Sequence, residues 1–90
     1  MTSSPRVLVV GIDVARALRD AGFEAIDVGD ASEPASIVAA AIDEDVDAIC
    51  VGAGVGASVA AELGRHPVEI ALVEVADAGS AAVAVRAAVR

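Results

Sequence analysis

Residues 52–57 are the part of this sequence with the clearest capacity for chemistry. The segment runs from Gly52 to Ala57, has glycine at every second position, and directly follows an apolar stretch that ends at Val51. Glycines allow a backbone to approach a ligand closely, and free N–H groups at the start of a following helix attract an anion. The segment predicts a loop that holds a phosphate or lines a pocket for a flat, bulky ligand. A tight turn without a ligand is the structural alternative.

The same loop matches the G-x-G-x-x-A form of a dinucleotide-binding loop, but its place in the chain argues against that cofactor. The fingerprint belongs after the first strand of a βαβ unit, whereas this one follows the third predicted strand. The loop after the first strand carries only Gly11. Asp30 follows the second strand, as a ribose-binding acid would, but its partner glycines are missing.

Three acids, Asp13, Asp30 and Asp77, follow predicted strands and could bind Mg²⁺ together through oxygen ligands. Helix N-caps and solvated loops are the more common use of such acids, and we expect that use here. Phosphoacceptor receiver domains also carry acids at this edge of the sheet. That class is excluded because the third strand ends in Gly52 and the chain contains no lysine.

The other reactive side chains do not complete an active site. His66 is the only histidine, and it is predicted to lie at the opposite end of the sheet, so a nucleophile–histidine pair or a histidine-rich zinc site cannot form at the glycine loop. Cys50 lies in an apolar run and is expected to be a buried, unreactive thiol. The acidic residues between 43 and 47 predict a solvated surface, with a cation-dependent contact as the alternative. We predict no catalytic and no metal-binding residue, and no enzymatic turnover.

Four strand–helix units position these residues. Strands are predicted over residues 7–10, 24–28, 48–51 and 68–75 from their β-branched, apolar runs. The helix signals are Asp13 and Ser32 as N-caps, Gly22 and Gly64 as C-terminal stops, and Gly79-Ser80 at the start of the last helix. Strict alternation predicts an α/β fold: a flavodoxin-like three-layer sandwich with a four-stranded parallel sheet in order 2-1-3-4 and helices on both faces. Residues 6–90 would form this single domain after a flexible N-terminus at residues 1–5.

Ligands of such sheets bind beyond the carboxyl ends of the strands, where the strand order reverses. In the predicted order this point lies between the first and third strands. The residues of this site would contact a ligand through exposed backbone rather than through side-chain chemistry. The predicted ligand-binding residues are Gly11, Asp13, Gly52, Ala53, Gly54 and Gly56.

Composition limits the partners. The formal net charge is −8, and all basic residues are arginines. An acidic domain repels phosphate backbones and anionic lipids, so we expect no nucleic acid and no membrane partner. Adaptation to a salt-rich cytosol and a GC-rich genome would both produce this composition, and the sequence does not distinguish them. Residues 1–5 are polar and predict no signal peptide, and we expect a cytoplasmic, reduced protein.

Several stretches resemble the cobalamin-binding domain of methylmalonyl-CoA mutase and its relatives. They are residues 5–9, residues 20–24 and, most closely, residues 33–51 with the helix, acidic turn and apolar strand that they contain. The resemblance covers the first two-thirds of the chain. It implies a flavodoxin-like fold, a corrinoid ligand and a mutase-type protein partner.

The chain also departs from that family. The family's D-x-H-x-x-G loop, whose histidine ligates cobalt, is matched only by Asp13, which is followed by Val14 and Ala15. The serine or threonine after the third strand is replaced by residues 52–54, the Gly-Gly near the end of the fourth strand is absent, and a fifth strand is missing. A corrinoid would therefore bind without histidine ligation.

These observations leave three functions open. The first is a stand-alone, cobalamin-binding-domain-like accessory module without catalysis of its own. The second is a nucleotide- or phosphate-binding regulatory domain that uses the glycine loop. The third is a structural or partner-binding module, which could form a homodimer or pair an exposed second or fourth strand with another protein.

Overall fold

The computed structural model describes residues 4–30 and 33–89, which alternate strictly between strand and helix. The elements in chain order are β1 (Arg6–Val10), α1 (Ala15–Asp20), β2 (Glu24–Asp27), α2 (Pro34–Asp43), β3 (Ala48–Gly52), α3 (Gly56–Leu63), β4 (Ala71–Val75) and α4 (Ala78–Ala88). Residues 1–3, which belong to the predicted flexible N-terminus, and Ser32, the predicted N-cap of α2, lie outside the described residues. The described part of α2 begins at Pro34, with Glu33 at the N-cap position.

The strands form one sheet in the order β2-β1-β3-β4, and all neighbours are parallel. This confirms the predicted fold class and strand order. β1 and β3 are the central strands, and β2 and β4 are the edges. In β3 all residues are buried, as expected for a strand covered on both faces.

Helices cover both faces of the sheet and create two separate cores. Because side chains alternate along a strand, Val7 and Val9 face α1 and α4, whereas Leu8 and Val10 face α2 and α3. Phe23 closes the first core beside Leu18 of α1. Among the described residues no polar or charged residue is buried, so both cores depend on apolar packing alone.

Two predicted boundaries are wrong. β4 begins at Ala71 rather than Val68, because the Ala71 N–H donates to the Asp47 carbonyl just before β3, and residues 68–70 have no strand beside them to pair with. Asp13 is not the N-cap of α1. A tight turn, in which the Val14 N–H donates to the Ile12 carbonyl, moves the start of the helix, and Val14 takes the N-cap position without a side-chain cap.

The predicted stop of α1 at Gly22 is confirmed. α2 also ends at a residue with positive φ, but that residue is not a glycine. Gly22 has φ +98°, and the N–H groups of Gly22 and Phe23 donate to carbonyls of the last helical turn. In α2 the equivalent position is Asp45, with φ +54°, the only described residue other than glycine in the left-handed region. An L side chain is strained in that conformation.

Arginines from other elements complete both helix ends. Arg86 Nη2 donates to the Ala21 carbonyl at the end of α1, and its guanidinium lies 5.2 Å from the centre of the Phe23 ring. Arg6 Nη1 donates to the Glu44 carbonyl at the end of α2. These guanidinium groups place positive charge beside the negative ends of the helix dipoles, which is a stabilising interaction.

The strain at Asp45 can be tested with two variants that remove the same charge. Asp45→Gly relieves the backbone strain and Asp45→Ala retains it, so the glycine variant should be more stable by about 1 kcal/mol. Urea unfolding followed by circular dichroism measures the difference. Equal stabilities of the two variants would contradict a left-handed Asp45.

Candidate functional site at the carboxyl edge of the sheet

The glycine loop already holds a carboxylate, and that carboxylate belongs to the protein itself. Oε2 of Glu74, on β4, accepts hydrogen bonds from the N–H of Gly54 at 3.0 Å and the N–H of Gly56 at 3.1 Å. Both donors lie where an anion would bind at the start of α3. The position that the sequence predicts for a ligand phosphate is therefore occupied by an internal anion.

Backbone and register bring these groups together. Glu74 is the register partner of Val51, so its side chain lies beside the loop that leaves β3. Gly54 has φ +92°, which turns the chain so that its N–H faces Glu74. A Cβ at Gly56 would lie 2.9 Å from Oε2 of Glu74, so the carboxylate fits only because this residue has no side chain.

Glu74 supplies the cap that α3 lacks in its own sequence. The N-cap residue of α3 is Val55, which has no side chain able to accept a hydrogen bond. α4 shows the usual arrangement, in which its own N-cap residue Asp77 accepts from the Ser80 N–H at 2.9 Å. Sequence reasoning missed Glu74 because the contact joins residues 18 and 20 positions apart. The sequence did contain one signal, which is that Glu74 is an acid within the otherwise apolar fourth strand, next to the strand that the glycine loop follows.

The loops at the strand-order reversal contact each other. A Cβ at Gly52 would lie only 3.2 Å from the Gly11 carbonyl oxygen, so the ends of β1 and β3 are packed closely. Gly11 has φ +67° and donates its N–H to the Gly29 carbonyl at 2.7 Å, which ties this loop to the one after β2. The predicted site residues Gly11 and Gly52 thus meet through backbone, whereas Ala53 is exposed in the turn before α3.

The predicted acids separate into different roles. Asp13 and Asp30 line, with Asp27, an open depression of about 280 Å³ between the ends of β1 and β2. Oδ1 of Asp27 accepts the Gly29 N–H at 2.8 Å. Asp77 caps α4 and does not join them. Within residues 4–30 and 33–89, no group of three or more histidine, cysteine or acidic side chains is arranged to hold a metal ion.

The two reactive side chains lie away from this edge. Cys50 is fully buried in the middle of β3, and burial raises the pKa of its thiol, which disfavours the reactive thiolate. His66 follows α3, and its Nε2 lies 3.1 Å from Oε2 of Glu62 one helical turn earlier. Neither side chain is placed to act on a ligand at the glycine loop.

No protein-family model, no curated protein and no solved structure matches this chain. The resemblance to cobalamin-binding domains therefore stays a prediction. In the part of the chain that the structure describes, no helix has the length and apolar character needed to cross a membrane.

Removing the Glu74 carboxylate should loosen the start of α3. We expect Glu74→Ala to lower the free energy of unfolding by about 1 kcal/mol, because two N–H groups at a helix N-terminus lose a charged acceptor. Glu74→Gln, which retains an oxygen acceptor, should lose less. Urea unfolding measures both effects.

Glu69→Ala is the matched control, since Glu69 is an exposed glutamate just before the same strand. It should stay within about 0.5 kcal/mol of the wild type. If the Glu69 and Glu74 variants lose equal stability, Glu74 does not cap α3.

Proposed function

We propose that this domain is a partner-binding module that has no catalytic activity and uses no small-molecule ligand at its glycine loop. The observation that carries the proposal is the carboxylate of Glu74 on the N–H groups of Gly54 and Gly56. A phosphate would have to displace this internal anion and would meet its negative charge at short range. The geometry of the loop therefore supports a structural use of its glycines.

Two further features support a module of this kind. The backbone of Gly52 lies so close to Gly11 that a Cβ at Gly52 would come within 3.2 Å of the Gly11 carbonyl oxygen, so these two strand ends pack against each other. The depression beside it, between β1 and β2, is lined by Asp13, Asp27 and Asp30, and this acidic lining disfavours phosphate. Catalysis would need a positioned base or nucleophile, and the only histidine and the only cysteine of the chain both lie away from this edge.

The corrinoid-binding and nucleotide-binding hypotheses make different demands on the same edge. A corrinoid would have to cover the loops at Gly11 and Gly54 without an imidazole ligand, since the family's histidine is absent. A nucleotide would have to displace Glu74. For these reasons we propose a cytoplasmic protein partner in preference to either ligand. Nucleic acid and membrane surfaces are disfavoured as partners because the chain carries a net charge of −8.

A thermal-shift screen separates these functions. Wild-type protein should show no change in Tm with hydroxocobalamin, ATP or inorganic phosphate, because a ligand that binds the folded state would stabilise it by mass action. The Glu74→Ala variant should be screened in parallel. A gain in Tm with phosphate in this variant alone would show that Glu74 blocks an otherwise competent anion position.

A shift of several degrees in the wild type would overturn the proposal. With hydroxocobalamin it would support the corrinoid function, and with ATP or phosphate it would support the nucleotide function. Screening at low and at molar salt separates ligand binding from general stabilisation by screening of the acidic surface.

A further inference from the structure

The two edges of the sheet differ in whether their outward backbone groups are occupied. In a parallel sheet, alternate residues of an edge strand direct their N–H and C=O toward the neighbouring strand, and the residues between them direct theirs outward. In β2, the N–H groups of Glu24 and Val28 donate to carbonyls of the β1 segment, so Ala25 and Asp27 face outward. Arg19 Nη2 donates to the Ala25 carbonyl at 2.9 Å. An arginine therefore occupies the outward carbonyl of Ala25 on this edge.

The β4 edge has no such cover. The Ala71 N–H donates to the Asp47 carbonyl, so residues 71, 73 and 75 face β3, and Leu72 and Glu74 direct their backbone groups outward. Within the described residues, no hydrogen bond engages these outward groups of Leu72 and Glu74. The Glu74 side chain, which could shield the edge with its charge, is turned back onto α3.

Two open grooves flank the chain that enters this edge. Val68, Glu69 and Ile70 line a groove of about 510 Å³ on the α4 side and another of about 210 Å³ on the α2 side. Val68 and Ile70 are partly exposed, and Ile42, which is 38% exposed, lines the smaller groove. Side chains of an added strand alternate between the two faces of a sheet, so a strand that pairs with β4 and continues past Ala71 would meet these grooves on its two faces.

The charges around the grooves indicate the chemistry of the occupant. Glu69 lies on both grooves, Asp45 on the smaller one, and Asp47 on the larger one, where its Oδ2 also accepts the backbone N–H of Arg6 at 2.8 Å. These carboxylates complement arginine or lysine. A second copy of this chain would instead add another net charge of −8. The carboxylates therefore favour a different protein over a homodimer.

We propose that the β4 edge binds an extended segment of another protein, apolar at alternate positions and carrying arginine or lysine, which adds to the sheet as a further strand. This inference rests on the proposed partner-binding function and identifies the surface and partner class. The backbone of Leu72 and Glu74 provides affinity, and the grooves and carboxylates provide selectivity.

The test uses a synthetic peptide of about six residues, the usual length of a strand, in which valine alternates with arginine. Amide exchange followed by NMR at each residue should show slower exchange at Leu72 and Glu74 when the peptide is added. The amides of Ala25 and Asp27 should not change. N-methylation of the peptide on the edge that faces β4 should abolish the effect, and a peptide with glutamate in place of arginine should not bind.

Two charge reversals provide matched protein variants. Glu69→Lys lies at the proposed surface and should weaken binding of the arginine peptide about fivefold, the effect of an exposed charge pair. Asp20→Lys makes the same change on the exposed surface of α1 and should leave binding unchanged. Equal effects of the two variants would contradict docking at β4 and indicate general electrostatic attraction.

Other outcomes overturn the inference without deciding the proposed function. Protection at Ala25 and Asp27 would place docking at β2, and protection at neither edge would exclude strand addition by this peptide class. If the amides of Leu72 and Glu74 are already slow without peptide and become slower as protein concentration rises, a second copy occupies the edge. The proposed function itself fails only if the wild type responds to a ligand in the thermal-shift screen.

Discussion

The contact between Glu74 and the first turn of α3 organises the carboxyl edge of this fold. It joins the last strand to the glycine loop and gives α3 the cap that Val55 cannot provide. It also neutralises the helix end where α/β proteins bind anions. Gly54 supplies the left-handed turn and Gly56 the space for the carboxylate, so the glycines that suggest a ligand site serve an internal bond.

The same use of long-range partners recurs at the other helix ends. Arg86 and Arg6 donate to the last carbonyls of α1 and α2, and Glu24 raises the pKa of the Arg6 guanidinium through a hydrogen bond and its charge. Arg19 donates to the outward Ala25 carbonyl on the β2 edge. A guanidinium group can donate to several acceptors in different directions, which a lysine ammonium cannot do with the same fixed geometry. In a chain of net charge −8, these arginines serve contacts within the domain and the β4 edge remains open.

Local patterns in the sequence were sufficient for the fold and insufficient for the site. Apolar runs and glycine stops predicted the element order, the strand order and the C-terminal stop of α1 at Gly22. The β4 boundary could not be predicted, because the apolar alternation continues through Val68 while the strand is defined by pairing with β3. The cap at Glu74 depends on a contact between distant segments, and the turn that displaces Asp13 from the N-cap depends on local backbone geometry. Propensities do not encode such contacts.

The most direct test of this account is a double-mutant cycle between Gly56 and Glu74, followed by urea unfolding. In the wild type, Gly56→Ala should change the free energy of unfolding little, because the new methyl group displaces the Glu74 carboxylate and this loss of about 1 kcal/mol offsets the higher helix propensity of alanine. In the Glu74→Ala background the same substitution should be stabilising, since no contact is lost there and alanine favours a helix over glycine by about 1 kcal/mol. An identical effect of Gly56→Ala in both backgrounds would contradict the contact, and with it the claim that the protein's own carboxylate fills the glycine loop.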